Sequence, residues 1–95
     1  MADTRKSRAE QAARRVAEWL ARNEESFNQD GVGEDSLASA LGLSGEEVIE
    51  GVDYLENRED VVRFPHPLAT PPRVVLKPGR GWPGLRAEIL GGSNG

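Results

Sequence analysis

The sequence has no cysteine, one histidine and one methionine, Met1. Without thiols there is no disulfide framework, no thiolate nucleophile and no zinc ribbon, which suits a reducing compartment such as the cytoplasm. His66 lacks a second histidine or a cysteine to complete a metal site. Residues 1–30 contain no uninterrupted apolar stretch of the signal-peptide kind. No run approaches the roughly 18 apolar residues of a membrane span. The expected protein is soluble and makes no membrane contact. Its 95 residues suffice for one small domain, read as residues 1–90 with 1–4 frayed and 91–95 a flexible tail. That length leaves no room for a second domain or a large substrate cavity. Ser36, Ser39 and Ser44 are accounted for by helix starts and turns, so no nucleophile with a base can be assembled. No enzyme, cofactor or metal is expected.

What the chain has instead is segregated charge. The net value is −4. Residues 1–22 carry +3, residues 23–60 carry −11 with Arg58 as their one base, and residues 61–95 carry +4 with Glu88 as their one acid. Such blocks matter more for partners than the total does.

The densest pattern lies in residues 37–62. Leu37, Ala38 and Leu41 fall on one face of a short helix, Gly42 ends it, and Leu43 drops between that helix and the next. Ser44 and Glu47 have the spacing of a capping box, in which each side chain accepts from the other's backbone N–H. Val48, Val52 and Leu55 then recur at helical spacing. Two helices, over 34–41 and 45–58, are thus set at a fixed turn. Val61 to Phe64 alternates as a strand, and residues 73–77 are its expected antiparallel partner. Four prolines among residues 65–72 rule out a tight hairpin and predict a semi-extended loop.

The run Leu-Ala-x-x-Leu-Gly-Leu-Ser-x-x-x-Val-x-x-x-Val-x-x-Leu-Glu over 37–56, followed by Val61 and Val62, resembles the winged helix-turn-helix of bacterial regulators of the MarR and ArsR type. Residues 73–80 are similar to the second strand of the wing and its exit into a last helix. The likeness covers roughly residues 30–82. It implies an α+β winged helix-turn-helix, ordered helix, strand, helix, helix, strand, strand, helix, and a small DNA-binding transcriptional regulator, dimeric through its first and last helices.

The flanks fit that order. From about Arg5, apolar residues recur at helical spacing through Phe27, with no glycine or proline before Gly31, which predicts one long first helix. Its first half offers only alanines to a core, so it is expected to pack on a second copy of the chain as a homodimer. Gly51 lies inside the motif's second helix, where glycine serves close backbone approach better than chemistry. Val32 is the expected minimal strand, and residues 82–90 read as a terminal helix with Pro83 at its first position. Trp19, Phe27 and Trp82 are read as core. Gly79, Gly81 and Gly84 match a dinucleotide-loop spacing, but Pro83 interrupts it and no β-α-β unit can follow.

The charges complicate the DNA reading. The motif's second helix, which in related folds enters the major groove, presents Glu46, Glu47, Glu50 and Asp53 and no arginine. Phosphates repel such a face. Capping and the helix dipole explain Glu46 and Glu47, but not Glu50 or Asp53. The candidate nucleic-acid contacts are therefore Arg63, Arg73, Lys77 and Arg80 of the wing with Arg14 and Arg15 of the first helix, a departure from the usual mode. The alternative is a protein-interaction module that offers Glu46, Glu47, Glu50 and Asp53 to a basic partner.

Overall fold

In the computed structural model, which describes residues 4–65 and 74–91, with side chains from Arg8 onward, five helices pack with a three-stranded sheet. In chain order these are α1 (Thr4–Arg22), α2 (Glu24–Asn28), β1 (Val32–Gly33), α3 (Glu34–Leu41), α4 (Gly45–Asn57), β2 (Val61–Pro65), β3 (Val74–Pro78) and α5 (Trp82–Gly91). The sheet order is β1-β3-β2, antiparallel throughout. Val61 pairs with Pro78 and Pro65 with Val74, so the expected wing hairpin is present. The loop between its strands, with His66 and Arg73, lies outside the described residues.

The long first helix is a correction. It breaks at Asn23, without glycine or proline, and α2 follows as a separate turn. The Asn23 side-chain amide donates to the Trp19 carbonyl at 2.8 Å, while its backbone N–H reaches both the Trp19 and Leu20 carbonyls. Asparagine competes for helix carbonyls in this way, which favours helix ends. The break swings Phe27 into the core, edge-on to Trp82 with ring centroids 4.9 Å apart.

The alanine face of α1 is the second correction. Ala12, Ala13 and Ala17 are buried within the chain, because α1 lies directly on α4. Gly51 makes this possible. A Cβ there would stand 2.8 Å from backbone atoms of Ala12 and Ala13, closer than atoms can pack. Small residues thus bring two helix backbones together where larger ones would hold them apart. Val16, Leu20, Leu37, Val48, Val52, Val61 and Leu76 close the core around that contact. Each such fully buried aliphatic contributes roughly 2 kcal/mol.

The motif itself forms as its residues dictate. Gly42 ends α3 in the left-handed region at φ 67°. Ser44 starts α4 with a complete capping box: its hydroxyl accepts from the Glu47 N–H at 3.1 Å and its own N–H donates to the Glu47 carboxylate at 3.0 Å. β1 is two residues long, pairing Val32 with Leu76 and Gly33 with Val75. α5 begins at Trp82, extends to Gly91, one residue into the expected tail, and turns Leu85 and Ile89 onto the core. Gly79 and Gly81 now have a structural role. A Cβ at Gly79 would lie 2.3 Å from the Glu59 carbonyl, and one at Gly81 2.5 Å from Asp60 Oδ1. The two glycines let the turn after β3 sit against the turn before β2.

Candidate nucleic-acid interface

Of the acids of α4, Glu47, Glu50, Asp53 and Glu56 are engaged within the chain, while Glu46 stands exposed. Arg8 of α1 grips Glu50 with two hydrogen bonds, Nε to Oε1 at 3.1 Å and Nη2 to Oε2 at 2.9 Å. A bidentate fork of this kind fixes orientation as well as charge. Glu47 is held by Ser44, whose bonds keep its carboxyl below the ordinary carboxylate range. Asp53 meets Arg63 at 2.8 Å.

Arg63 is the hub of this region. It faces the helices from β2, on the same side of the sheet as Val61 and Leu76, and its side chain is 23% exposed. Glu34 of α3 and Asp53 and Glu56 of α4 all lie within 3.0 Å of it. Burial works against its charge, and the bonds to Asp53 and Glu34 outweigh that, leaving its pKa raised. One cation among three carboxylates leaves a net negative cluster. Arg63 therefore ties α3, α4 and β2 together and has no positive field to offer a phosphate.

The remaining candidates are dispersed. Arg15 donates to the Leu41 carbonyl at 3.0 Å, satisfying a free acceptor at the end of α3. Arg14 pairs with Glu18 one turn along α1 at 3.5 Å. It also lines a groove of about 610 Å³ between α1, α4 and α5, together with Tyr54, Arg58 and Leu85. Arg80 pairs with Glu59 at 3.1 Å but stays 83% exposed. Among the described residues of the motif and hairpin, Lys77 has no carboxylate within ion-pair distance. It shares a sheet face with Val62, its cross-strand partner, turned away from Arg63 and the acids.

Two features escaped sequence reasoning. The Arg8–Glu50 pair joins residues 42 apart, and Glu34 reaches Arg63 across 29, separations that no local pattern encodes. Asp60 is the other. It is 4% exposed, and Oδ2 lies 3.4 Å from Arg58 Nε without accepting a hydrogen bond. Burial raises its pKa, Arg58 opposes the rise, and Glu88 adds to it. On α4 the exposed positions are Gly45, Glu46, Ile49, Asp53 and Asn57, with Ile49 47% exposed.

Among the described residues no cluster of side chains suited to a metal ion occurs, and no helix is long and apolar enough to cross a membrane. No protein-family model matches the chain, and no curated protein matches it in sequence. A solved structure does match it in shape. S. aureus MepR, in a mutant form bound to an oligodeoxyribonucleotide, superposes with a TM-score of 0.67 at 18% identity, covering 95% of this chain and 68% of that one. The element order, the strand pairing and this likeness agree: the chain is a winged helix-turn-helix domain with the fold of MarR-type proteins.

Proposed function

We propose that the chain is a transcriptional regulator that grips duplex DNA with its wing and keeps α4 out of the major groove. The observation that carries this is the placing of Lys77, which among the described residues has no carboxylate partner, on the hairpin face turned away from the acids. The sequence is free of carboxylates from Val61 to Ala87, so Arg73, Lys77 and Arg80 have no acid beside them along the chain, although Arg80 pairs in space with Glu59. The solved structure of like fold is itself bound to an oligodeoxyribonucleotide. α4 offers phosphates only repulsion, and four of its acids, Glu47, Glu50, Asp53 and Glu56, serve the fold.

One wing supplies few phosphate contacts, so useful affinity calls for two. A homodimer joined through α5 provides them, and α5 has the surface for it, with Leu90 47% exposed beside half-buried Leu85 and Ile89. A second reading rests on Ile49. An exposed isoleucine between Glu46 and Asp53 on α4 suits a basic protein partner with an apolar socket.

One titration separates the two. Random-sequence duplex is titrated at several salt concentrations, with sedimentation giving the number of protomers bound. For the wing reading, Lys77→Ala weakens binding to every sequence and lowers the magnitude of the salt slope by about one unit. Ile49→Ser changes nothing. Absence of salt-dependent binding by the unaltered chain would reject the wing reading and leave the protein partner.

A further inference from the structure

β2 is an edge strand. It pairs with β3 on one side, and among the described residues no strand pairs with it on the other. The ladder fixes which of its backbone groups face outward. Opposed residues of an antiparallel pair alternate between bonded and non-bonded. The Gly79 N–H donates to the Asp60 carbonyl at 3.0 Å, which makes Asp60 and Gly79 a bonded position. Counting along the register, Val62 with Lys77 and Phe64 with Val75 are bonded as well. Val61, Arg63 and Pro65 therefore turn their backbone groups away from β3. Val61 is fully buried, so the open stretch offers the N–H and carbonyl of Arg63 and the carbonyl of Pro65. Pro65 has no N–H to leave unpaired, the reason proline is tolerated on an edge. Among the described residues, no backbone bond from outside the sheet reaches Arg63.

The two faces beside that edge differ in chemistry. On the face turned to the helices, α4 lies against β2, while α3 lies against β1 and β3. The Asp53 and Glu56 carboxylates thus stand on the outer side of Arg63 and Glu34 on the inner. The outer pair is also the more open, with side chains 54% and 41% exposed against 25% for Glu34. One guanidinium does not neutralise three carboxylates, and the surplus negative charge lies at the edge. On the opposite face the same stretch is apolar, with half-buried Val62 and Phe64, the latter 49% exposed.

A strand added to an edge presents its side chains to the two faces in alternation. In antiparallel register, the residue paired with Arg63 points toward Asp53 and Glu56, and the residues before and after it lie beside Phe64 and Val62. We infer that the open edge of β2 accepts an extended segment of a partner protein that carries a basic residue between two apolar ones. Arg63 supplies the backbone bonds, Asp53 and Glu56 the charge, and Phe64 and Val62 the apolar contact. A second copy of the chain is a poor occupant, because antiparallel pairing of two β2 strands about Arg63 brings two acid-rich clusters together. Lys77 lies on β3, one strand further in, so the inference does not rest on the wing reading.

The test titrates the full chain with a labelled, end-capped peptide, Ser-Thr-Val-Lys-Ile-Thr-Ser, following anisotropy and backbone amide shifts together. Binding should move the amide of Arg63 most among those of β2. Replacing the peptide lysine by glutamate should weaken binding at least about tenfold, since it sets like charges together. N-methylating the lysine amide removes the donor to the Arg63 carbonyl and should also cost about tenfold. Phe64→Ser is expected to weaken binding about fivefold, the scale of one cross-strand pair. Asp53→Asn should do so about twofold to fivefold and flatten the salt dependence. Melting well above the assay temperature establishes that both variants fold. Equal affinity for the N-methylated peptide would overturn the inference, since a strand edge cannot ignore a lost donor. Binding indifferent to both Phe64→Ser and Asp53→Asn would overturn it by placing the peptide elsewhere. Absence of binding at millimolar peptide would also overturn it, and a dimer in sedimentation that Phe64→Ser dissolves would then put a second copy on the edge.

Discussion

Residues 34–60 and 61–87 are neighbours in sequence and opposites in charge: the first carries nine acids and one base, the second five bases and no acid. The structure uses them differently. In the first, Glu50 is bonded to Arg8, Glu47 to Ser44, and Glu34, Asp53 and Glu56 to Arg63, so charge there is mortar between elements. In the second, Lys77 and Phe64 are held by nothing comparable. An acidic second motif helix is thus compatible with a winged-helix fold, because most of its acids are occupied in holding the elements together. Substitutions in the first region, and at Arg63, which reaches into it from β2, should accordingly register as stability and those at Lys77 as binding.

The largest expected effect tests the first half of that contrast. Gly51→Leu forces side-chain atoms into the backbone of α1 and should cost at least about 3 kcal/mol in denaturant unfolding. Gly84→Ala, in α5 with nothing within 4 Å, is the matched control and should gain up to about 1 kcal/mol. A Gly51→Leu chain that melts normally would show that the helices do not touch as described.

Arg63→Met comes next. It leaves three carboxylates facing one another without their cation. Because Asp53 and Glu56 remain substantially exposed, the loss is softened by solvent, to about 1–2 kcal/mol. The salt slope of DNA binding should not move. A slope reduced by one unit at unchanged stability would instead make Arg63 a phosphate contact and erase the contrast between the regions.

The smallest effect is a change in a pH profile. The Asp60 carboxyl has its pKa raised by burial, so the folded chain holds its proton to higher pH than the unfolded chain does. Stability from this group is therefore greatest below the ordinary carboxylate pKa and falls as pH rises through the raised value. Glu47 has the opposite sign: its pKa is lowered, and its contribution is lost as pH falls. Subtracting the Asp60→Asn melting profile from that of the unaltered chain cancels Glu47 and should leave a decline that begins at the ordinary carboxylate pKa and levels off above the raised one. A flat difference would mean that Asp60 is solvated.

How far the sequence discloses all this follows from range. The motif, its capping box and the hairpin pairing depend on residues within a few positions of each other or on simple alternation, and they are where the sequence puts them. The alanines of α1 and Gly51 are each legible as features of close packing, but nothing local says that they meet. The reason offered for an unburied first helix fails at that point. The break at Asn23 has a faint local signal, a short polar side chain in a helix, overridden in reading by the apolar spacing that continues to Phe27. The partners of Glu50 and Asp53 come from other elements, so the acidic face looks free in sequence and is largely committed in space. Phe64 reads only as one more strand residue until the register shows what it stands beside.

The contact between Gly51 and Ala12–Ala13 also has a mechanical meaning. Where two helices meet through long side chains, rotamers can shift and absorb displacement, as a gasket does. Here backbone lies against backbone, and the Arg8–Glu50 fork locks the same pair nearby. α1 and α4 therefore behave as one beam. A displacement of α1 is carried to α4, and from α4 through Arg63 to β2, with little taken up by side-chain rearrangement.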